Sequence, residues 1–491
     1  MTRLRLSLLS LPLLIAAAPP SPNWAELLRQ DAQAFHDDIA ANHPGSSNDL
    51  DPGFAARNDR ALARALRWAP KVTDAAGYRA AMDAYAASFD DGHLATAPTD
   101  AFPAIEGRWP GFLTGYGADR RYRVATRADD AAVPIGAALV SCDGVAAGRL
   151  AEERVGTFAG RWMLASRRAL LARNLFLDRG NPFVARPRAC RFAWNGATHE
   201  VALSWRALPA DEAATRIAAV GGRAREAIGQ RTLADGTRWL SLSGFNSDPS
   251  GPDFKALVPL IAALKADRTA LARAPRIVLD LRGNNGGSSD WSRQIAAVLW
   301  GEAAVRGAEG HSEAVEWRVS PATIRAIGEY RDQFAAAPNA SPDAKQWAQR
   351  TYDGLTGAAA KHQPLWRETD EPEATIPAKE QTVAPLAGPV FIVTDWGCGS
   401  ACLDAVDLWR ALGAIQVGQE TSADTLYMDV RDTVLPSGMT RAVVPMKVYR
   451  GRKRGANQPW MPVHAYGGDL RDTAALQRWV SSLPDRGARK P

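Results

Sequence analysis

Residues 390–412, VFIVTDWGCGSACLDAVDLWRAL, leave the chain around them little freedom. Val390 to Thr394 are mostly β-branched or aromatic and read as a buried strand. Trp396-Gly397-Cys398-Gly399 then forces a sharp turn, and beyond it Ala405, Leu408, Trp409 and Leu412 fall on one helical face. Ser400 therefore sits where a strand ends and a helix begins, beside backbone N–H groups that are unpaired and positively polarised. That position suits a nucleophile. It equally suits a helix N-cap, the commoner reason for a serine there.

The chain has 491 residues, enough for two or three domains. It begins with Arg3 and Arg5, an apolar run over 6–15 and small residues at 16–18, which reads as a signal peptide over about 1–20. The run is too short for a membrane span, and no later run is long enough, so no integral span is expected after signal removal. The expected location is therefore exported, periplasmic or secreted, with an uncleaved N-terminal anchor as the alternative. Removing Arg3 and Arg5 takes the net charge from +6 to about +4. Basic residues are dispersed except for Arg450, Arg452, Lys453 and Arg454, which read as a solvated loop, and no nucleic-acid partner is expected. Four cysteines in an exported chain suggest bridges, Cys142–Cys190 and Cys398–Cys402; the second pair can meet on a helical turn but not on an extended one.

A helical N-terminal domain is expected over 23–100. Leu28, Ala32, Phe35 and Ile39 share one face, and Tyr78, Met82, Tyr85 and Phe89 another. Its last helix is read as ending at Asp90-Asp91-Gly92-His93-Leu94, which makes His93 a candidate helix C-cap. Residues 108–206 change to strands, with a turn at Asn195-Gly196 and a Gly136…Leu139…Asp143-Gly144 rhythm similar to a PDZ module. An Ala/Leu-rich helical insertion is expected over 150–177. From Thr237 strands alternate with helices, which argues for a mixed, largely parallel sheet with crossover helices and sites at strand carboxyl ends. The fold class is thus α/β (α+β overall). An insertion is expected at about 335–388.

Gly283-Asn284-Asn285-Gly286-Gly287 follows the strand read at Ile277 to Arg282. It matches no phosphate-binding pattern, but bare N–H groups on such a turn can form an oxyanion hole. The seven histidines are scattered with no metal-ligand spacing, so neither metal nor cofactor is expected.

Asp280-Leu281-Arg282-Gly283-Asn284-Asn285-Gly286-Gly287 resembles the DLRGNxGG stretch of the S41 serine peptidases, which include the tail-specific proteases and the tricorn core. Trp239 to Phe245 resembles the family's preceding GYIRLxxF strand, Gly399-Ser400-Ala401-Cys402 its SASE segment, and Gly418-Gln419-Glu420-Thr421 the G-x-x-T that follows. Asp91-Gly92-His93 is similar to its DxH. The resemblance implies a catalytic domain over 215–482 and a peptide or protein substrate. It also implies Ser400 as nucleophile, with the N–H groups of Ala401 and of Gly286 or Gly287 as oxyanion hole. The dyad lysine of tail-specific members is missing from Thr421-Ser422-Ala423-Asp424-Thr425, whereas His93 lies where tricorn-like members carry a histidine base. The tricorn-like acid is unmatched at Gly455-Ala456-Asn457, so Asp91 and Glu420 are the candidates for orienting His93. Alternatives are a non-catalytic binding protein of the same fold, Lys447 as base, and a cysteine nucleophile, which an oxidising compartment disfavours. Oligomeric state is not legible.

Overall fold

The structure, a computed structural model, describes residues 22–221, 225–309, 314–336, 342–368 and 383–484. The leader and parts of the expected 335–388 insertion lie outside these described residues.

The strand Val390–Thr394 forms and every residue in it is buried. It runs in a six-stranded sheet ordered Gly229–Thr232, Arg238–Ser241, Ile277–Asp280, Val390–Thr394, Ile415–Gly418 and His464–Ala465. The first pair is antiparallel and all later pairs are parallel. Helices Pro252–Ala266, Asp290–Trp300 and Ala401–Ala411 pack Leu257, Ile295 and Trp409 on one face, and Thr473–Ser481 packs Leu476 and Val480 on the other. A strand buried on both faces is a nearly continuous apolar run, and each Val, Ile or Phe so buried contributes about 1.5–3 kcal/mol. Ile277–Asp280 and Val390–Thr394 are neighbours, so their carboxyl ends, Asp280 and Val393, lie side by side.

Residues 24–87 form three helices, Trp24–Asn42, Phe54–Trp68 and Ala75–Ala87, around Phe35, Tyr78 and Tyr85. The last stops earlier than its periodicity suggests, and Phe89 packs against this core from beyond the helix end. The chain then runs as a strand, Ala95–Pro98, which pairs antiparallel with Thr440–Arg450. Thr440–Arg450 also pairs with Tyr427–Val434 and Ala314–Arg318. Thr440–Arg450 is one strand of 11 residues. Leu435, Ala442 and Val444 complete the helical domain's core, so two segments far apart in the chain share one hydrophobic centre.

The segment read as PDZ-like forms an antiparallel sheet ordered Phe112–Tyr116, Tyr122–Arg127, Ala138–Cys142, Ala189–Trp194 and Ala197–Ala202, with Val145–Ala146 beside Ala138–Cys142. Asn195 and Gly196 both take positive φ, as a two-residue hairpin turn requires. Cys142 and Cys190 are cross-strand partners and form a disulfide. Short helices between Ala147 and Phe176 fill the interval where a helical insertion was expected.

Candidate active site

Two turns meet at the carboxyl edge of the parallel sheet. Asp395, just past Val390–Thr394, ties them together: one carboxylate oxygen accepts from Gly283 N–H at 2.9 Å and the other from Gly397 N–H at 2.8 Å. The Asn284 amide donates to Leu242 O at 2.7 Å, and Asn284 Oδ1 accepts from Gly286 N–H at 2.8 Å. Gly286 has φ 109°, and a Cβ there would lie 2.7 Å from Ser400 Cβ and 3.1 Å from Ala401 N. Only glycine allows this approach.

Ser400 occupies the N-cap position of Ala401–Ala411, yet its hydroxyl caps nothing. Its backbone has φ 54° and ψ −130°, a conformation that a non-glycine residue adopts only when its surroundings impose it. Those surroundings include the Cys398–Cys402 disulfide, whose Cα atoms are 5.3 Å apart across the serine. The N-cap explanation for Ser400 therefore fails. With the Gly286 N–H committed to Asn284, the N–H groups of Gly287 and Ala401 have no acceptor among the described residues.

The Ser400 N–H donates to Asp424 Oδ1 at 3.3 Å, and the next residue, Thr425, places Oγ1 3.5 Å from His93 Nδ1. The serine turn and the histidine segment are thereby held by two consecutive residues. His93 is not a helix cap, since Ala75–Ala87 ends at Ser88. It is fixed instead by Asp91: Asp91 Oδ1 accepts from His93 N–H at 2.9 Å and from the Thr425 hydroxyl at 2.7 Å. Having given its proton to a carboxylate, Thr425 Oγ1 can only accept from the ring. His93 Nδ1 then carries the proton and Nε2 keeps its lone pair.

Behind Asp91 lies His43, fully buried against Phe54 and Tyr427. Its Nδ1 accepts from Gly45 N–H at 2.9 Å, which leaves the proton on Nε2 to be donated to Asp91 Oδ2 at 3.3 Å. Burial pushes the His43 pKa below its ordinary value and keeps it neutral. Burial alone would raise Asp91, but the hydrogen bonds from His43, His93 N–H and Thr425 outweigh it and hold the carboxyl below its ordinary value. Asp91 is thus a buried, ionised carboxylate with donors on both oxygens.

The other expected residues stand elsewhere. Glu420 pairs with Arg120 of the 108–206 segment at 3.2 Å and contacts no histidine among the described residues. Lys447 is paired with Asp429 at 2.9 Å over the Trp317 ring; nearby carboxylates outweigh its burial and raise its pKa, the wrong direction for a base. The basic run near 450 is not a solvated loop. Arg454 is buried and gathers Asp404, Asp407 and Asp424 at 3.1 Å each, bracing the carboxylate that accepts from Ser400 N–H. Asn457 donates to Asp424 O through its backbone and to Asp90 O through its amide. Thr425, Asp424, His43 and Arg454 were missed in the sequence, because a lone threonine or a distant histidine carries no spacing signal. In Thr425 the only cue was the missing lysine nearby.

No family model and no curated protein matches the chain. Among solved structures, mature CPAF complexed with lactacystin aligns over 93% of this chain and 97% of its own, with 14% identity and a TM-score of 0.59. A serine-to-alanine mutant of CPAF aligns over 90% and 93%, with 14% identity and a TM-score of 0.57. The photosystem II D1 C-terminal processing protease is a more distant match, with a TM-score of 0.32. At these identities the likeness concerns the fold. The chain has an S41-like peptidase fold.

Proposed function

We propose that this protein is an exported serine peptidase that cleaves peptide bonds through an acyl-enzyme. Ser400 Oγ adds to the carbonyl carbon and its proton passes to His93 Nε2, which then gives it to the leaving amine. A water, deprotonated by the same nitrogen, releases the acyl group. The N–H groups of Gly287 and Ala401 receive the oxyanion. Asp91 orients His93 through the Thr425 hydroxyl and stabilises the imidazolium formed in each half-reaction.

One observation carries this reading: Asp424 and Thr425, adjacent in the chain, hold the Ser400 backbone at 3.3 Å and the His93 ring at 3.5 Å. A structural serine would not need strained backbone beside two unpaired N–H groups. Both disulfides favour an oxidising compartment, and no helix among the described residues is long and apolar enough to cross a membrane.

The test is labelling by a fluorophosphonate probe. Wild-type protein should label and Ser400→Ala should not, and His93→Ala should slow labelling by about 10²–10⁴-fold. Labelling that survives in Ser400→Ala removes the nucleophile assignment. A folded wild type that never labels favours a non-catalytic binding protein.

A further inference from the structure

A cleft of about 470 Å³ lies on the far side of the His93 segment, between the helix Ala75–Ala87 and the helices inserted into the 108–206 segment. Five arginines line it: Arg79, Arg154, Arg161, Arg167 and Arg179. Four aspartates do so as well, but each is already engaged. Asp83 takes Arg79 and Thr96, Asp90 takes Arg161 N–H, Asp178 takes Arg186 and Gly180 N–H, and Asp91 belongs to the His93 network.

The arginines are poorly matched by comparison. Only Arg79 has a carboxylate partner among the described residues. Arg154 and Arg167 donate to main-chain carbonyls, Arg161 to a carbonyl and the Asn457 amide oxygen, and Arg179 to nothing. Arg167 Nε is buried with no partner among the described residues. Burial is the largest influence on Arg154, Arg161 and Arg167 and holds each below the usual arginine value. Neutral carbonyls satisfy N–H groups but do not offset charge, so the cleft keeps a surplus of planar, fork-shaped donors.

We propose that this cleft is an anion-binding site that takes a carboxylate or phosphate group on the guanidinium groups of Arg167 and Arg179, with Arg154 and Arg161 behind them. Guanidinium forks bind such groups through paired, charge-assisted hydrogen bonds. Asp91 and Gly92 form part of the wall, so the cleft adjoins the two residues that precede His93. The site does not depend on Ser400 being a nucleophile.

The test is titration calorimetry on the full chain at fixed ionic strength, with inorganic phosphate and with acetyl-trialanine as free acid and as amide, in a Ser400→Ala background to prevent turnover. At least one of the two anions should bind, and Arg179→Glu should weaken it about tenfold or more, as expected for loss of a charge-assisted contact. Arg179 is exposed and unpartnered, so its loss should leave the fold intact; Arg167→Lys, which keeps the charge but not the fork, should also weaken binding. Free-acid peptide binding without amide binding identifies a peptide terminus as the source of the anion, and phosphate binding alone identifies a phosphate compound. No binding by either anion, or equal binding in wild type and both variants, overturns the proposal. Fluorophosphonate labelling of the Ser400 protein is read separately, so the two conclusions fail independently.

Discussion

The serine half and the histidine half of the site are built by opposite means. Ser400 stands on local structure: a buried strand, a tight turn bridged by Cys398–Cys402, and the first residue of a helix, with Gly286 pressed against it from the neighbouring strand's turn. His93 stands on no regular element. It is held by Asp91 two residues away and by Thr425, 332 residues further along. One half is rigid because of the backbone, the other because of a buried polar network. The first tolerates changes of side chain but not of space, and the second the reverse.

Substitutions should separate the two halves. Among the residues that support Ser400 and His93, the largest effect is expected from Gly286→Ala, whose methyl group would collide with Ser400 Cβ and Ala401 N. Fluorophosphonate labelling should fall by about 10²–10³-fold, the usual cost of a lost oxyanion contact, with the helical domain unchanged by circular dichroism. Next, Asp91→Asn keeps the volume and removes the charge. A carboxylate touching its histidine directly is worth about 10⁴-fold, and one acting through a hydroxyl should cost less, about a hundredfold. A third, smaller effect is expected for Thr425→Val, about tenfold, with Thr425→Ser restoring most of the rate. If Thr425→Val labels like wild type, the hydroxyl link is only structural.

The smallest effect concerns pH and stability. His43 is held neutral below its ordinary value of 6.5. Unfolded chains therefore bind a proton that the folded one refuses, and stability should fall as pH drops below about 6.5. Asp91, with a lowered pKa, contributes stability above the unfolded carboxylate range and loses it as pH falls through the folded value, so the two effects add on the acid side. Thermal unfolding between pH 7 and 5 should show a falling midpoint in wild type and a flatter profile in His43→Asn, a difference of about 1 kcal/mol. An equally steep profile in the variant would show that other groups set the acid limit.

The same contrast explains what was legible in the sequence. Val390–Thr394, the glycine turn and Ala401–Ala411 follow from periodicity and turn residues within a short span, so the parallel core and Ser400 could be read directly. The serine could not be told from a helix cap until its hydroxyl was seen to cap nothing. His93 was a candidate through resemblance, but its support was hidden. Tyr427–Val434 alternates too weakly to announce a strand, and nothing in Ala95–Pro98 indicates that its partner is Thr440–Arg450. Asp91 was named as a candidate, whereas its hydrogen bond to Thr425 depends on that pairing. Lys447 looked available as a base because its commitment to Asp429 is a cross-strand contact. Arg454 looked like solvated charge because its three aspartates lie upstream, beyond the reach of local spacing.

The pairing of Ala95–Pro98 with Thr440–Arg450 also sets an order of events. A chain made from its N-terminus completes the three helices hundreds of residues before the strand that closes their core exists. The Asp91–Thr425 hydrogen bond cannot form until that late hairpin docks. Contacts of such sequence separation are the last to be secured in folding. An unfinished chain would thus carry the strained serine turn before Thr425 can hold His93.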